Sequence, residues 1–176
     1  MISGHNFIKE NREVKLANKF CKALAESEFN FVSGIPCAVQ KYIIANFTNS
    51  PQFKHIPATK ESEALGIASG AFLAGKKPIV YMQNSGLMNS INDITSLLIP
   101  YKIPILLLVT WRGAPGEDAP QHFVNGKSII KVLNSIKIHI EILTKENIKS
   151  IIKSSKKWLE EKQTPAIILI KRGVLK

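Results

Sequence analysis

The stretch PILLLVT, residues 104–110, decides the fold of this chain. Its central residues, 105–109, are five consecutive apolar residues, without the polar–apolar alternation of a half-exposed strand. An uninterrupted apolar run of this length is typical of a parallel-sheet strand with both faces covered. The stretch therefore predicts an α/β fold in which this strand is fully buried.

Shorter strands and helices are predicted on both sides of this stretch from hydrophobic spacing and from Gly and Pro positions. The other predicted strands are 30–32, 55–58, 79–82, 137–140 and 166–170. The predicted helices are 12–25, 38–47, 62–74, 90–99, a short one after 127, and 145–159. NSGLMN, residues 84–89, and the long polar stretch 111–127 are predicted as loops. Helices separate all the strands, so right-handed crossovers are expected. We expect a single domain spanning residues 1–176: an open, mostly parallel six-stranded sheet with helices on both faces.

Length and composition fit one globular domain, with 176 residues of which 45% are hydrophobic and 21% charged. No apolar run approaches the roughly 20 residues of a membrane helix, so no membrane contact is expected. The first residues, MISGHNFIKENREVK, lack the apolar core of a secretory signal, which favours a cytoplasmic protein. Cys21 and Cys37 belong to no CxxC motif, so two reduced thiols are expected rather than a zinc site or a disulfide.

The net charge of +11 comes mainly from the C-terminal part, because residues 127–176 contain 12 Lys and Arg against 4 Glu. Four lysines recur every fourth residue on one side of the last predicted helix: Lys145, Lys149, Lys153 and Lys157. A solvated helix face is the first interpretation, and an acidic partner subunit is the second. Nucleic acid comes third, because no nucleic-acid-binding motif accompanies the lysines.

Ligands of parallel α/β sheets bind beyond the carboxyl ends of the strands, which directs attention to residues 33–38, 59–62, 83–89 and 110–126. Glu61 and Glu63 start a helix that is rich in Ala, Gly and Ser. Helix capping alone would explain one of the two carboxylates. The small side chains indicate close approach, either by the chain's own sheet or by another subunit.

Two further segments combine groups that suit ligand binding. The segment NSG, residues 84–86, offers amide groups and backbone N–H groups, although no GxGxxG or Walker motif supports nucleotide binding. Residues 111–122 are long for an α/β loop and mix guanidinium, carboxylate, amide and imidazole groups. Such a mixture favours a functional loop over a structural one.

Three stretches together resemble the pyrimidine-binding domain of the thiamine-diphosphate-dependent decarboxylases. They are FVSGIPC (31–37), ESEALGIASGAFLAGKKPIVYMQNSGLMNSIN (61–92) and TSLLIPYKIPILLLVTWRGAPGEDAPQH (95–122). Within this group the resemblance favours phosphonopyruvate decarboxylases, which yield phosphonoacetaldehyde and carbon dioxide. The alpha subunits of sulfopyruvate decarboxylases, which yield sulfoacetaldehyde, are the close alternative.

The resemblance implies a role for each candidate site residue. Glu61 would hydrogen-bond the pyrimidine ring nitrogen of the cofactor and so promote loss of the thiazolium proton. The implied cofactor contacts are Glu61, Asn84, Ser85 and Gly86. The implied catalytic residues are Glu61, Asp118 and His122, and the implied substrate contacts are Gln121, His122, Arg112 and Gly34. For Arg112 a structural ion pair is an equal alternative.

The resemblance also implies a partner. Such enzymes hold the cofactor's diphosphate and Mg²⁺ through a GDG motif, which this sequence lacks. A beta subunit is therefore expected to carry the diphosphate-binding domain and the Mg²⁺ site. Met88 departs from the family pattern and puts the tight geometry of its loop in doubt. Ala38 stands where many relatives carry a serine or aspartate, which puts a hydroxyl or carboxylate near the substrate in doubt. A binding module that uses the lysine face and a non-catalytic structural subunit are the remaining alternatives.

Overall fold

The fold is built on parallel strands, as seen in a computed structural model that describes residues 12–117 and 120–175. The strands are β1 (Phe31–Gly34), β2 (Lys54–Pro57), β3 (Pro78–Gln83), β4 (Leu106–Trp111), β5 (His139–Ile142) and β6 (Ala166–Lys171). They form one sheet in the order β2-β1-β3-β4-β6-β5, and every neighbouring pair is parallel. The expected α/β architecture is confirmed.

Helices cover both faces of this sheet. They are α1 (Arg12–Glu26), α2 (Lys41–Asn49), α3 (Glu61–Leu73), α4 (Asn84–Asn89), α5 (Ile91–Asp93), α6 (Phe123–Ser135) and α7 (Ile148–Lys162). A π-helical turn, Ile94–Leu98, extends α5, and short 3₁₀ turns occupy Ala38–Gln40 and Pro120–His122. α1, α2 and α7 pack on one face, whereas α3, α6 and the segment from α4 to Leu98 pack on the other. No helix of the described ranges is long and apolar enough to cross a membrane.

β4 is the buried strand that the apolar run predicts. It pairs with β3 on one side and β6 on the other, and its residues from Leu106 to Val109 are fully buried. Leu106 and Leu108 join the core on the α1 side, while Leu107 and Val109 join the core on the α3 side. One short stretch thus contributes to both hydrophobic cores.

Several boundaries differ from those expected, and three of the differences have a clear structural reason. NSGLMN is not a loop but forms α4, directly after β3. α6 begins at Phe123, inside the predicted 111–127 loop, where Trp111 Nε1 donates to the carbonyl of Gly126 at 2.9 Å. β5 starts two residues later than predicted because Lys137 adopts a left-handed φ of 56° and its N–H donates to Asn134, which closes the turn after α6.

α7 is amphipathic, as its spacing predicts. Ile148, Ile151, Ile152, Ser155 and Leu159 are buried, and Lys149, Lys153 and Lys157 are exposed. Lys145 precedes the helix rather than lying on it, and Lys157 pairs with Glu161 at 3.7 Å. The lysine face of α7 is therefore shorter than predicted, and Glu161 partly neutralises its charge.

His55, on the edge strand β2, forms side-chain hydrogen bonds to α2 and to β3. The Thr48 hydroxyl donates to the carbonyl of Ile44, so it accepts a hydrogen bond from Nδ1–H of His55, at 3.0 Å. Nε2 of His55 then accepts from the hydroxyl of Tyr81 at 2.9 Å. Both ring nitrogens are satisfied in the neutral tautomer, and burial lowers the pKa of His55.

Candidate functional site

Glu61 and Gly86 meet at the carboxyl ends of the strands. Glu61 is the first residue of α3, which follows β2, and Gly86 lies in the first turn of α4, which follows β3. A Cβ at Gly86 would fall 2.5 Å from Cγ of Glu61 and closer still to its carboxylate. Only glycine leaves room for this side chain, so α4 provides the slot in which Glu61 lies.

Glu63, not Glu61, caps α3. The backbone N–H and the hydroxyl of Thr59 donate to Oε2 of Glu63 at 2.7 and 2.6 Å. These two bonds hold the pKa of Glu63 below its ordinary value, and the bond from the Thr59 hydroxyl has the larger effect. Within residues 12–117 and 120–175, no group donates a hydrogen bond to the Glu61 carboxylate. Its acceptor oxygens are therefore available to a ligand.

Asn84 joins the ends of two strands. Its Nδ2 donates to the carbonyl of Arg112 at 2.9 Å and to Oδ1 of Asn125 at 2.8 Å. Its Oδ1 accepts from the N–H of Arg112 at 3.1 Å, and the residue is 1% exposed. The side chain of Asn84 is thus occupied in holding β3, β4 and α6 together. Ser85, by contrast, is exposed and accepts a hydrogen bond from Nε2 of Gln83 at 2.9 Å.

Arg112 forms an ion pair within the loop after β4. Its Nε lies 2.5 Å from Oε1 of Glu117, and the two side chains are 19% and 6% exposed. The N–H of Gly113 donates to the other carboxylate oxygen of Glu117. Burial raises the pKa of Glu117, but the bonds from Arg112 and Gly113 outweigh it, and the pKa lies below its ordinary value. Sequence reasoning missed Glu117, although its place five residues after Arg112 and directly after a Pro-Gly pair was a usable signal.

His122 and Gln121 lie on the 3₁₀ turn that leads into α6. Gln121 is exposed and His122 is half-buried. His122 lies close enough to Glu117 that its positive charge, when present, lowers the pKa of the Glu117 carboxyl. Gly113, at a φ of 73°, packs against the carbonyl of His122, where a side chain would clash. The loop therefore folds back on itself at the carboxyl end of β4. Asp118 lies outside the described residues.

Gly34 has a packing role. It ends β1, and a Cβ there would lie 2.7 Å from Cγ of Tyr81, whose ring covers it. The three atoms nearest to that Cβ all belong to Tyr81, and the carbonyl of Gly34 accepts a hydrogen bond from the N–H of Ala58 at 3.1 Å. A substrate contact of Gly34 stays a prediction.

Cys37, Gln83 and Ser85 form a second polar group at this end of the sheet, which the sequence did not predict. The Cys37 thiol donates to Oε1 of Gln83 at 3.9 Å, and Gln83 in turn donates to Ser85. Both thiols of the chain are free, as expected. Cys37 is half-exposed, whereas Cys21 is buried and burial raises its pKa to about 12.

The two departures from the family pattern are accommodated without distortion. Met88 is part of α4 and packs against the core on the α3 side. Ala38 is exposed at the start of a 3₁₀ turn. No group of three or more His, Cys, Asp or Glu residues that could hold a metal occurs in the described ranges.

Comparison with known proteins adds a family and its relatives. Residues 14–135 match the family described as "Thiamine pyrophosphate enzyme, N-terminal TPP binding domain". The alpha subunit of sulfopyruvate decarboxylase from Methanococcus maripaludis is 35% identical over 150 residues, which are 85% of this chain and 90% of that protein. The alpha subunit from Methanocaldococcus jannaschii is 37% identical over 148 residues, with coverages of 84% and 88%.

Longer relatives match over part of their length. Phosphonopyruvate decarboxylase from Streptomyces viridochromogenes is 33% identical over 147 residues, which are 82% of this chain and 37% of that protein. Among solved structures, 2-oxoglutarate:ferredoxin oxidoreductase from Magnetococcus marinus matches with a TM-score of 0.69 at 19% identity, over 91% of this chain and 29% of that one. At 19% identity, the match to the ferredoxin oxidoreductase concerns the fold alone.

Proposed function

Because this chain belongs to the thiamine pyrophosphate enzymes, as a form of their N-terminal TPP-binding domain, we propose that it is the pyrimidine-binding subunit of a 2-keto acid decarboxylase. The observation that carries this proposal is the Glu61 carboxylate, which has no hydrogen-bond donor among the described residues and lies in the slot left by Gly86. The cytoplasmic location expected from the sequence is part of the proposal.

The described residues fit the pyrimidine end of the cofactor. Glu61 would share a proton with a ring nitrogen, and the slot at Gly86 would fix the direction from which its carboxylate approaches the ring. When bound, thiamine diphosphate supplies the electron sink that 2-keto acid decarboxylation requires. Glu63 is engaged by Thr59 and holds the first turn of α3 in place, so that Glu61 is presented from a fixed helix end.

The described residues do not fit the diphosphate end or Mg²⁺, since they include no cluster of metal ligands. We assign that end to a partner subunit, which the name "subunit alpha" of two relatives also suggests. The outer face of α3 suits an interface beside Glu61. Gly66 and Gly70 are exposed on this face, and a Cβ at either position would meet nothing within 4 Å. A partner could therefore approach the helix backbone closely.

Sulfopyruvate is the substrate that we propose, in place of the phosphonopyruvate favoured by the sequence resemblance. The chain spans 90% and 88% of two sulfopyruvate decarboxylase alpha subunits, but only 37% of a phosphonopyruvate decarboxylase. Both substrates carry a distal anion on a three-carbon keto acid. In this proposal His122 and Gln121 donate to that anion, while Arg112 positions the loop through Glu117. The expected products are sulfoacetaldehyde and carbon dioxide.

The test is reconstitution with a GDG-containing partner chain. The complex, supplied with thiamine diphosphate and Mg²⁺, should release carbon dioxide from sulfopyruvate with a kcat/KM at least about tenfold above that for phosphonopyruvate. This chain without the partner should be inactive. Turnover by the isolated chain would contradict the split enzyme, and a preference for phosphonopyruvate would restore the first substrate assignment.

A further inference from the structure

A cavity of about 190 Å³ opens at the amino ends of the strands, at the opposite edge of the sheet from Glu61. Its apolar wall is formed by residues at or next to the starts of strands and the ends of helices. The apolar lining residues are Phe29, Phe72, Pro78, Pro104 and Leu159. Because these residues lie in strands and helices or within two residues of a strand, rather than in a long loop, the cavity is preformed.

The C-terminus of α7 fixes one side of the cavity. Gln163 ends the helix in a left-handed conformation with a φ of 54°. Its side-chain Nε2 donates to the carbonyls of Leu159 and Glu160, at 3.3 and 2.8 Å. The helix end is thereby held in one conformation, which lowers the cost of ordering this wall when a ligand binds.

Charged groups surround the apolar wall. Lys77 and Lys156 both donate to Oε2 of Glu28, at 2.6 and 2.7 Å, and lie 3.7 and 3.8 Å from Oε1 of Glu160. Lys76 also lines the cavity and is exposed, and it forms no ion pair with any described residue. Lys77 and Lys156 are therefore paired with carboxylates, and Lys76 is the lysine of the cavity lining that has no carboxylate partner among the described residues.

The volume and the charge together define a ligand class. A cavity on the order of 150 Å³ with apolar walls accommodates benzene. We propose that this cavity binds a small monoanion with a single aromatic ring or a branched aliphatic group, with the apolar part against Phe72 and Pro104 and the carboxylate at Lys76. The site is independent of the proposed decarboxylase function, since none of its residues belongs to the catalytic edge.

Binding to the 176-residue chain can be followed by NMR titration of backbone amides. Benzoate combines the ring with the charge, whereas benzyl alcohol has only the ring and acetate only the charge. Benzoate should saturate below roughly 10 mM and bind about fivefold more tightly than either of the others. The shifted resonances should be those of Phe72, Lys76 and Gln163.

Two lysine variants locate the charge contribution. Lys76→Gln should weaken benzoate binding about fivefold and leave benzyl alcohol binding unchanged. Lys131→Gln, at an exposed position on α6 with no ion pair among the described residues, should behave as wild type. Absence of saturation by benzoate would overturn the proposal. So would equal binding of benzoate by both variants, or shifts centred on Glu61.

Discussion

Glu61 fills the space that the missing side chain of Gly86 leaves at the start of α4. The two residues follow different strands and are 25 positions apart in sequence, and the parallel order of β1, β2 and β3 brings them together. α4 therefore fixes the direction of a carboxylate that α3 provides. Catalytic groups gain much of their effect from such fixed positions.

Gly86→Ala should displace the Glu61 carboxylate, because a Cβ would overlap it. In the reconstituted complex we expect proton exchange at the thiazolium carbon of the cofactor to slow by roughly tenfold or more. Asn89→Ala, an exposed change in the same helix, is the control and should keep the wild-type rate. Hydrogen–deuterium exchange monitored by NMR measures both. An unchanged rate in Gly86→Ala would mean that the slot is not needed.

Glu61→Gln and Glu63→Gln separate proton transfer from helix capping. Glu61→Gln should slow the same exchange by roughly 10²-fold and leave thermal stability nearly unchanged, since no described group donates to Glu61. Glu63→Gln should lower the Tm, because it weakens the bonds from Thr59, and should leave the exchange rate near wild type. If both variants slowed the exchange equally, both carboxylates would act by stabilising the start of α3, and Glu61 would have no separate role in proton transfer.

Gly66→Ala and Gly70→Ala test the outer face of α3. In the isolated chain each should raise the free energy of unfolding by about 0.5–1 kcal/mol, because alanine is the better helix former and neither Cβ meets a neighbour. If the partner packs on this face, the same changes should weaken association with it. Urea unfolding measures the first effect and calorimetry of assembly the second. Undiminished association would place the partner elsewhere.

His55 should make stability fall at mildly acidic pH. Burial lowers its pKa in the folded chain below the ordinary value of 6.5, so the unfolded chain takes up the proton more readily. The stabilisation is complete above pH 6.5 and is lost as pH falls through the folded-state pKa. Urea unfolding between pH 7.5 and 5.5 should show a steeper loss in wild type than in His55→Gln. Identical slopes would mean that His55 takes no part.

How far the sequence predicts this structure depends on the range of the contacts involved. The run 105–109 predicts β4 correctly because burial on both faces is visible in the residues themselves. NSGLMN was predicted as a loop because Asn and Gly are poor helix formers. What stabilises α4 is a contact across 28 positions, from Asn84 to Arg112, and such contacts leave no local signal.

The candidate site divides in the same way. Its position beyond the carboxyl ends of the strands follows from the parallel topology, and the choice of Glu61 follows from resemblance. Spacing could not decide which of Glu61 and Glu63 caps the helix, because that depends on where Thr59 is placed. Likewise, the pairing of Arg112 with Glu117 depends on a loop conformation set by Gly113 at a positive φ.

The unequal environments of the two thiols give the chain a natural attachment point for a probe. A maleimide dye needs a thiolate that it can reach, and Cys21 satisfies neither condition. Cys37 can be reached, and it lies one hydrogen bond from Gln83, the residue that precedes α4. A fluorophore on the wild-type sequence would therefore report events at the carboxyl edge of the sheet, without any engineered cysteine.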